Sequence, residues 1–192
     1  MEQQHKSKQR ATQSQRQDHG ENASEGAGKL YVVATPIGNL GDISARALAV
    51  LAQADLVAAE DTRTTGHLLA HHGISAKLLA LHEHNEMERA AGLVAQMLAG
   101  KTIALVSDAG TPGISDPGAL LVARAQQAGI VVCPIPGANA AIAALSAAGL
   151  AAAHFLFYGF LPAKAAARRS ALAALRELPH ALVFYEAPHR VT

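Results

Sequence analysis

A single cysteine, Cys133, stands in 192 residues. Neither an internal disulfide nor a cysteine-based structural zinc site can therefore form, which fits a reducing compartment. Cys133 lies in a Val-Val-Cys run, the setting of a small core residue. Charge of one sign is not in excess: 16 Lys and Arg against 15 Asp and Glu leave a formal charge of +1. No broad positive field draws nucleic acid or a membrane, so an anionic substrate must be met locally. No uninterrupted apolar run reaches the roughly 18 residues that span a bilayer, and residues 1–28 lack the apolar stretch of a signal peptide. The expected setting is soluble and cytoplasmic, without a membrane partner.

What is present is apolar and alternating. The chain is 50% hydrophobic and 16% charged, enough for one domain or for one with part of a second. Residues 1–28 are different material. Lys6, Lys8, Arg10 and Arg16 balance Glu2, Asp18, Glu21 and Glu25 with almost nothing apolar between them, which predicts a disordered polar tail. From Lys29 onward short apolar runs alternate with longer Ala/Leu segments, the rhythm of an α/β fold around a largely parallel sheet. Strands are expected at Leu30–Thr35, Leu56–Glu60, Lys77–Leu81, Thr102–Ser107 and Ile130–Pro134. Helices are expected near Ser44–Ala54, Arg63–His72, Glu86–Ala99, Ala119–Ala128 and Ala138–Ala148. Asp42 or Ser44 is suited to cap the first helix and Asn85 the third, and Gly100, Gly129 and Gly149 stand just past helix ends. No internal repeat is present.

Residues 29–149 read as an N-terminal α/β domain. After Gly149 the pattern changes to His154-Phe-Leu-Phe-Tyr-Gly-Phe-Leu-Pro162, a basic helix from about Lys164 to Leu178, and a strand Ala181–Tyr185. Segment 150–192 thus reads as the beginning of a second α/β domain. One helix and two strands cannot bury their own faces well, and the expectation is a truncated sequence.

In open α/β sheets ligands bind beyond the carboxyl ends of the strands, so the residues after each strand are the informative ones. Four such loops stand out: Thr35–Asp42, the acidic turn Glu60-Asp61-Thr62-Arg63, Ser107–Gly118, and Pro134–Asn139. Ser107–Gly118 is the most telling, because its glycines and prolines bend the backbone tightly and let it approach a ligand closely. Pro136-Gly137 leads into an Ala-rich helix whose first N–H groups point outward. Familiar phosphate loops are absent. Gly100-Lys101-Thr102 imitates the end of a Walker loop, but position 95 is Ala and the triplet precedes a strand. Gly38 and Gly41 do not reproduce the dinucleotide-binding spacing. His67, His71, His72, His82 and His84 do not match His-Glu-x-x-His and form no recognisable ligand set, so no metal is expected. Lys164, Arg168 and Arg169 suit either RNA phosphates or a solvated helix face.

At these loops the chain resembles the tetrapyrrole-methylase-like superfamily, and specifically the ribosomal RNA small subunit methyltransferase I family. The stretches that carry the resemblance are Leu30–Ile43, Ala59-Glu-Asp-Thr-Arg-Thr-Thr65, His82-Glu-His-Asn85, Ser107–Gly118, Pro134-Ile-Pro-Gly-Ala-Asn-Ala140, Phe157-Tyr-Gly-Phe-Leu-Pro162 and Phe184-Tyr-Glu-Ala-Pro-His-Arg190. They occur in family order. The resemblance implies an S-adenosylmethionine-dependent enzyme that methylates the ribose 2′-hydroxyl of a cytidine in 16S ribosomal RNA of the small ribosomal subunit. It also implies a homodimer with the cofactor in a cleft between two α/β domains. By motif, the cofactor positions are Pro36, Asp108, Gly110, Thr111, Ile114, Ser115, Pro136, Gly137, Ala138, Tyr158 and Glu186. Asp108 stands where the family has an acidic residue in Gly-Asp-Pro, although the triplet here is Ser-Asp-Ala. The family also continues well beyond Arg190.

Methyl transfer from a sulfonium is an in-line displacement, so the protein must mainly hold donor and hydroxyl in line. A ribose hydroxyl is a poor nucleophile and calls for a positioned base or a site favouring alkoxide character. Glu60, Asp61 and Glu83 are the candidate bases, with Arg63 and Arg190 positioning phosphate. The carboxylates of the Glu60–Arg63 turn have another role open to them, pairing with Arg63 or capping the following helix. The alternative functions are a methylase of a tetrapyrrole or other small molecule, and a noncatalytic fragment that dimerises or binds RNA.

Overall fold

The computed structural model describes residues 26–151 and 154–191. Of the polar tail expected over 1–28, residues 1–25 lie outside the described residues. Gly28 belongs to the fold: it is buried, and its N–H donates to the Met97 carbonyl at 2.8 Å.

Five strands form one wholly parallel sheet: β1 (Lys29–Val33), β2 (Leu56–Ala59), β3 (Leu78–Ala80), β4 (Ile103–Val106) and β5 (Val131–Ile135). Their order is β3-β2-β4-β1-β5. The helices between them are α1 (Ala45–Gln53), α2 (Thr62–His71), α3 (Glu86–Leu98) and α4 (Ala119–Gln127), and α5 (Ala140–Ala147) follows β5. Each strand and helix expected between residues 30 and 148 is present, with ends moved by a few residues at most.

Burial explains why these runs become strands in the sheet interior. All four residues of β2 and of β4 are buried, as a sheet covered on both faces demands. Successive residues feed opposite cores. Leu30, Leu56, Ala58, Ile103 and Leu105 pack with Leu93 and Met97 of α3 and Leu121 of α4. Val33, Val57, Ala59, Ala104 and Val106 pack with Leu51 of α1 and Leu69 of α2. The connections after β1 and β2 therefore leave toward one face, and the connection after β4 leaves toward the other. Since β4 lies between β2 and β1, its loop emerges where neighbouring connections diverge, the crevice that open α/β sheets use for ligands.

The helix starts sort themselves by local chemistry. Ser44 caps α1, accepting from the Ala47 N–H at 3.1 Å, while Asp42 ends a short 3-10 turn, Leu40–Asp42. Asn85 precedes α3 but does not cap it with its side chain. Its Oδ1 accepts from the His82 N–H at 2.9 Å and its Nδ2 donates to the Ala80 carbonyl at 3.3 Å, so the turn after β3 competes successfully for the amide. Gly100, Gly129 and Gly149 follow their helices with φ of 92°, 72° and 65°, the left-handed conformation expected of them.

Beyond α5, β6 (Phe155–Phe160), α6 (Ala165–Leu175) and β7 (Ala181–Tyr185) make a strand–helix–strand unit with two parallel strands. The pairing slips between Phe157 and Gly159, so Tyr158 is bulged out. Gly159 takes φ of 79°, and a Cβ there would stand 3.3 Å from the Ser115 hydroxyl, which marks how closely β6 approaches the β4–α4 loop. No residue of α6 is buried. Phe155, Phe160 and Leu172 are 48%, 54% and 40% exposed, so the unit covers its apolar faces incompletely. Among the described residues no helix is long and apolar enough to cross a membrane.

Candidate functional site

Three loops are stitched together beyond the carboxyl ends of β1, β4 and β5. Thr35 and Gly110 form an isolated antiparallel bridge, with Thr35 N donating to Gly110 O at 2.8 Å and Gly110 N to Thr35 O at 3.0 Å. The buried Thr35 hydroxyl donates to the Ser107 carbonyl at 3.1 Å. Thr111 Oγ1 donates to the Ala138 carbonyl at 3.1 Å, tying the β4 loop to the β5 loop. Gly137 lies so close to β1 that a Cβ on it would come within 2.9 Å of the Ala34 Cβ. These contacts satisfy buried backbone groups that an irregular loop would otherwise leave unpaired.

A second brace joins β2 to β4. Asp61 N donates to Asp108 Oδ1 at 3.0 Å, and Asp108 N donates to Glu60 Oε2 at 3.2 Å. Asp61 also caps α2: its Oδ1 accepts from the Arg63 N–H at 2.8 Å, and Arg63 Nη2 reaches Oδ2 at 2.6 Å. Arg63 hydrogen bonds hold the Asp61 carboxyl down at about 2. Glu60 is shifted the other way. Partial burial raises its carboxyl above the ordinary range, against the Asp108 N–H bond, and Asp108, Asp116 and Asp61 push it further up.

A cavity of about 500 Å³ opens between the two sheets. Its floor is the β4–α4 loop, including Gly110, Thr111, Ile114 and Asp116. One wall is the first turns of α5, and the other is the carboxyl end of the small sheet, from Phe160 and Val183 to Glu186. Tyr185 closes the junction, its hydroxyl accepting from the Ala141 N–H at 3.3 Å. Gly110 takes φ of 86°, and a Cβ there would come within 3.6 Å of Ile37 and 3.7 Å of the Ala138 carbonyl, so glycine lets these loops close up.

Of the cofactor positions implied by the resemblance, Gly110, Thr111, Ile114 and Glu186 line this cavity. Pro36 and Asp108 instead line a neighbouring one of about 270 Å³ with Ser107 and α2 residues. Ser115 lines a third of about 510 Å³, together with Glu60, His82, Glu83, Glu86 and Asp116. Pro136, Gly137 and Ala138 do not line the cavity between the sheets; they carry the loop that leads into its α5 wall. Tyr158 is turned out by the bulge and lies against Phe184 with ring centroids 5.8 Å apart. Glu60 and Glu83 both face the third cavity, while Asp61 lines none of the three. Arg63 remains exposed. Arg190, expected to position phosphate, is instead turned inward. Its Nη2 pairs with Glu186 at 3.0 Å and donates to the Leu161 and Pro162 carbonyls, fastening the end of β7 to the end of β6.

Sequence reasoning passed over Asp116, Tyr185 and the α5 residues Ala140, Ala141 and Ala144. Asp116 and Tyr185 lie inside motifs already singled out, but nothing in their spacing says which way they face. The Ala residues carry no chemical signal, and their value is that small side chains leave room. Among the described residues no group of three or more His, Cys, Asp and Glu side chains converges as a metal site would require.

Known proteins resemble this chain in sequence and in fold. The ribosomal RNA small subunit methyltransferase I of Pseudomonas aeruginosa is 60% identical over 165 residues, covering 86% of this chain and 58% of that protein. The protein of the same name from Escherichia coli O157:H7 is 57% identical over 171 residues, covering 89% of this chain and 60% of its own length. The chain thus spans about three fifths of these relatives. Among solved structures, uroporphyrin-III-C-methyltransferase from Thermus thermophilus superposes with a TM-score of 0.58 at 26% identity, over 82% of this chain and 68% of that one. The sequence model of the Tetrapyrrole (Corrin/Porphyrin) Methylases matches residues 29–192, and with the parallel sheet and its stitched loops this establishes that the chain belongs to that family.

Proposed function

We propose that the protein is an S-adenosylmethionine-dependent methyltransferase whose acceptor is the ribose 2′-hydroxyl of a cytidine in 16S ribosomal RNA. The observation that carries the reading is the cavity of about 500 Å³ between the carboxyl ends of the two sheets. The relatives named as ribosomal RNA methyltransferases direct the choice of acceptor.

The residues present fit such a donor. The volume lies within the roughly 300–1,000 Å³ of small-molecule sites. Ile37, Ile114 and Phe184 offer apolar walls, and Gly110 brings backbone close. When bound, S-adenosylmethionine supplies an electrophilic methyl group on a sulfonium. The chain's own work is then to hold the donor at a fixed angle, exclude water and orient the acceptor hydroxyl. Tyr185 holds the small sheet against α5, and the Arg190–Glu186 pair fastens the two strands of that sheet at the cavity's edge.

The test is to incubate the purified protein with methyl-labelled donor and 16S RNA or small subunits lacking the modification, then identify labelled nucleosides by mass spectrometry. Label in 2′-O-methylcytidine is the expected result. Donor binding by calorimetry with no label in RNA would reject the RNA reading in favour of a small-molecule acceptor.

A further inference from the structure

We infer that Asp116 is the catalytic base that receives the proton of the acceptor hydroxyl, because it lines both of two cavities at the site. The inference rests on the methyl-transfer reading above and adds to it the residue that activates the acceptor.

The argument is geometric. In an in-line transfer the acceptor oxygen sits opposite the sulfur on the far side of the methyl carbon, so the base must lie at the boundary between donor space and acceptor space. It must also be within about 3 Å of the hydroxyl. The cavity of about 500 Å³ is the donor space, and the cavity of about 510 Å³ beside it is open and polar. Asp116 is the one residue found in the lining of both. Glu60 and Glu83 reach only the cavity of about 510 Å³. Asp61 reaches neither, and its two oxygens are already engaged by Arg63.

The surroundings suit a base. Burial raises the Asp116 carboxyl above its ordinary value of 3.8, with Asp108 adding to the effect and hydrogen bonding from Ser107 opposing it. The other titratable groups around these two spaces are Glu60 after β2, His82, Glu83 and His84 after β3, Glu86 at the start of α3, Tyr185 at the end of β7, and Glu186 after it, paired with Arg190. In the step itself the oxygen–carbon bond forms as the carbon–sulfur bond breaks. The bonding pair goes to sulfur, which becomes a neutral thioether, and the hydroxyl proton passes to the Asp116 carboxylate.

Asp116→Asn keeps the shape and removes the base. The expected result is a donor affinity by calorimetry within about threefold of wild type, with a methylation rate at saturating donor lower by about 10²-fold or more. The acid limb of the pH–rate profile should disappear, and Asp116→Glu should recover part of the rate. Independently of activity, carboxyl carbon NMR of the donor-free protein should give Asp116 a midpoint above 3.8. A smaller fall in rate, a donor affinity lost in proportion to the rate, or a midpoint at or below 3.8 would overturn the assignment. Should the wild-type protein bind no donor and label no RNA, the proposed function itself fails. Normal binding and labelling with an unimpaired Asn variant removes Asp116 alone.

Discussion

Replacing Glu86 by Ala should destabilise the protein by about 2–4 kcal/mol, through a contact that no pattern in the sequence announces. Glu86 opens α3 and is 8% exposed. Its Oε1 accepts from the Gly118 N–H at 3.1 Å and from the Leu121 N–H at 2.9 Å, both at the start of α4. One carboxylate therefore stands at the amino ends of two helices, where its charge is favourable to each. Gly118 has no side chain with which to cap α4, so Glu86 performs that task from another helix. Truncation leaves two N–H groups without their acceptor. A lost cap costs about 0.5–2 kcal/mol and a hydrogen bond to a charged group about 1.5–3 kcal/mol. These overlap, which sets the range above. Glu86→Gln retains an acceptor and loses only the charge, so its cost should be about 1 kcal/mol. Urea unfolding followed by circular dichroism gives both values, with the slope of the transition unchanged. Because Gly118 ends the loop that floors the cavity between the two sheets, affinity for the proposed donor should fall in the Ala variant as well. The reasoning is refuted if Ala costs less than about 0.5 kcal/mol, or if Gln is as harmful as Ala.

Two further outcomes follow from the same geometry. Gly118→Ala should destabilise by about 1–3 kcal/mol, because φ is 123° and the added Cβ would stand 2.6 Å from Leu105 Cδ2 in the core; a thermal melt within a degree of wild type would contradict this. The Asp61 carboxyl is lowered from 3.8 to about 2, so its pairing with Arg63 favours the folded state above pH 4 and loses that effect as pH falls toward 2. Asp61→Asn should therefore show a shallower loss of stability than wild type across that window, measured by urea unfolding at stepped pH, and identical slopes would remove the effect.

The strands were legible because β2 and β4 are apolar on every residue, which only a sheet covered on both faces can use. Ser44 could be read as a cap because its hydroxyl answers an N–H three residues on, a purely local matter. Asn85 could not, since the choice between capping α3 and closing the turn after β3 is decided by groups that the fold brings together. Arg190 illustrates the same limit at the site. In the sequence it is a cation beside a motif; in the structure Glu186 and two carbonyls absorb its donors.

The sequence by itself determined the alternation of strands and helices, the parallel sheet, the family motifs and the bent Ser107–Gly118 loop, because periodicity and glycine conformation are properties of neighbouring residues. Only the tertiary structure decided that β4 emerges between β2 and β1, that Tyr185 meets α5, that Glu86 caps a helix other than its own and that Asp116 borders two spaces at once. Those facts depend on distances between residues far apart in the chain, which the packing of two faces of one sheet fixes and no local pattern encodes.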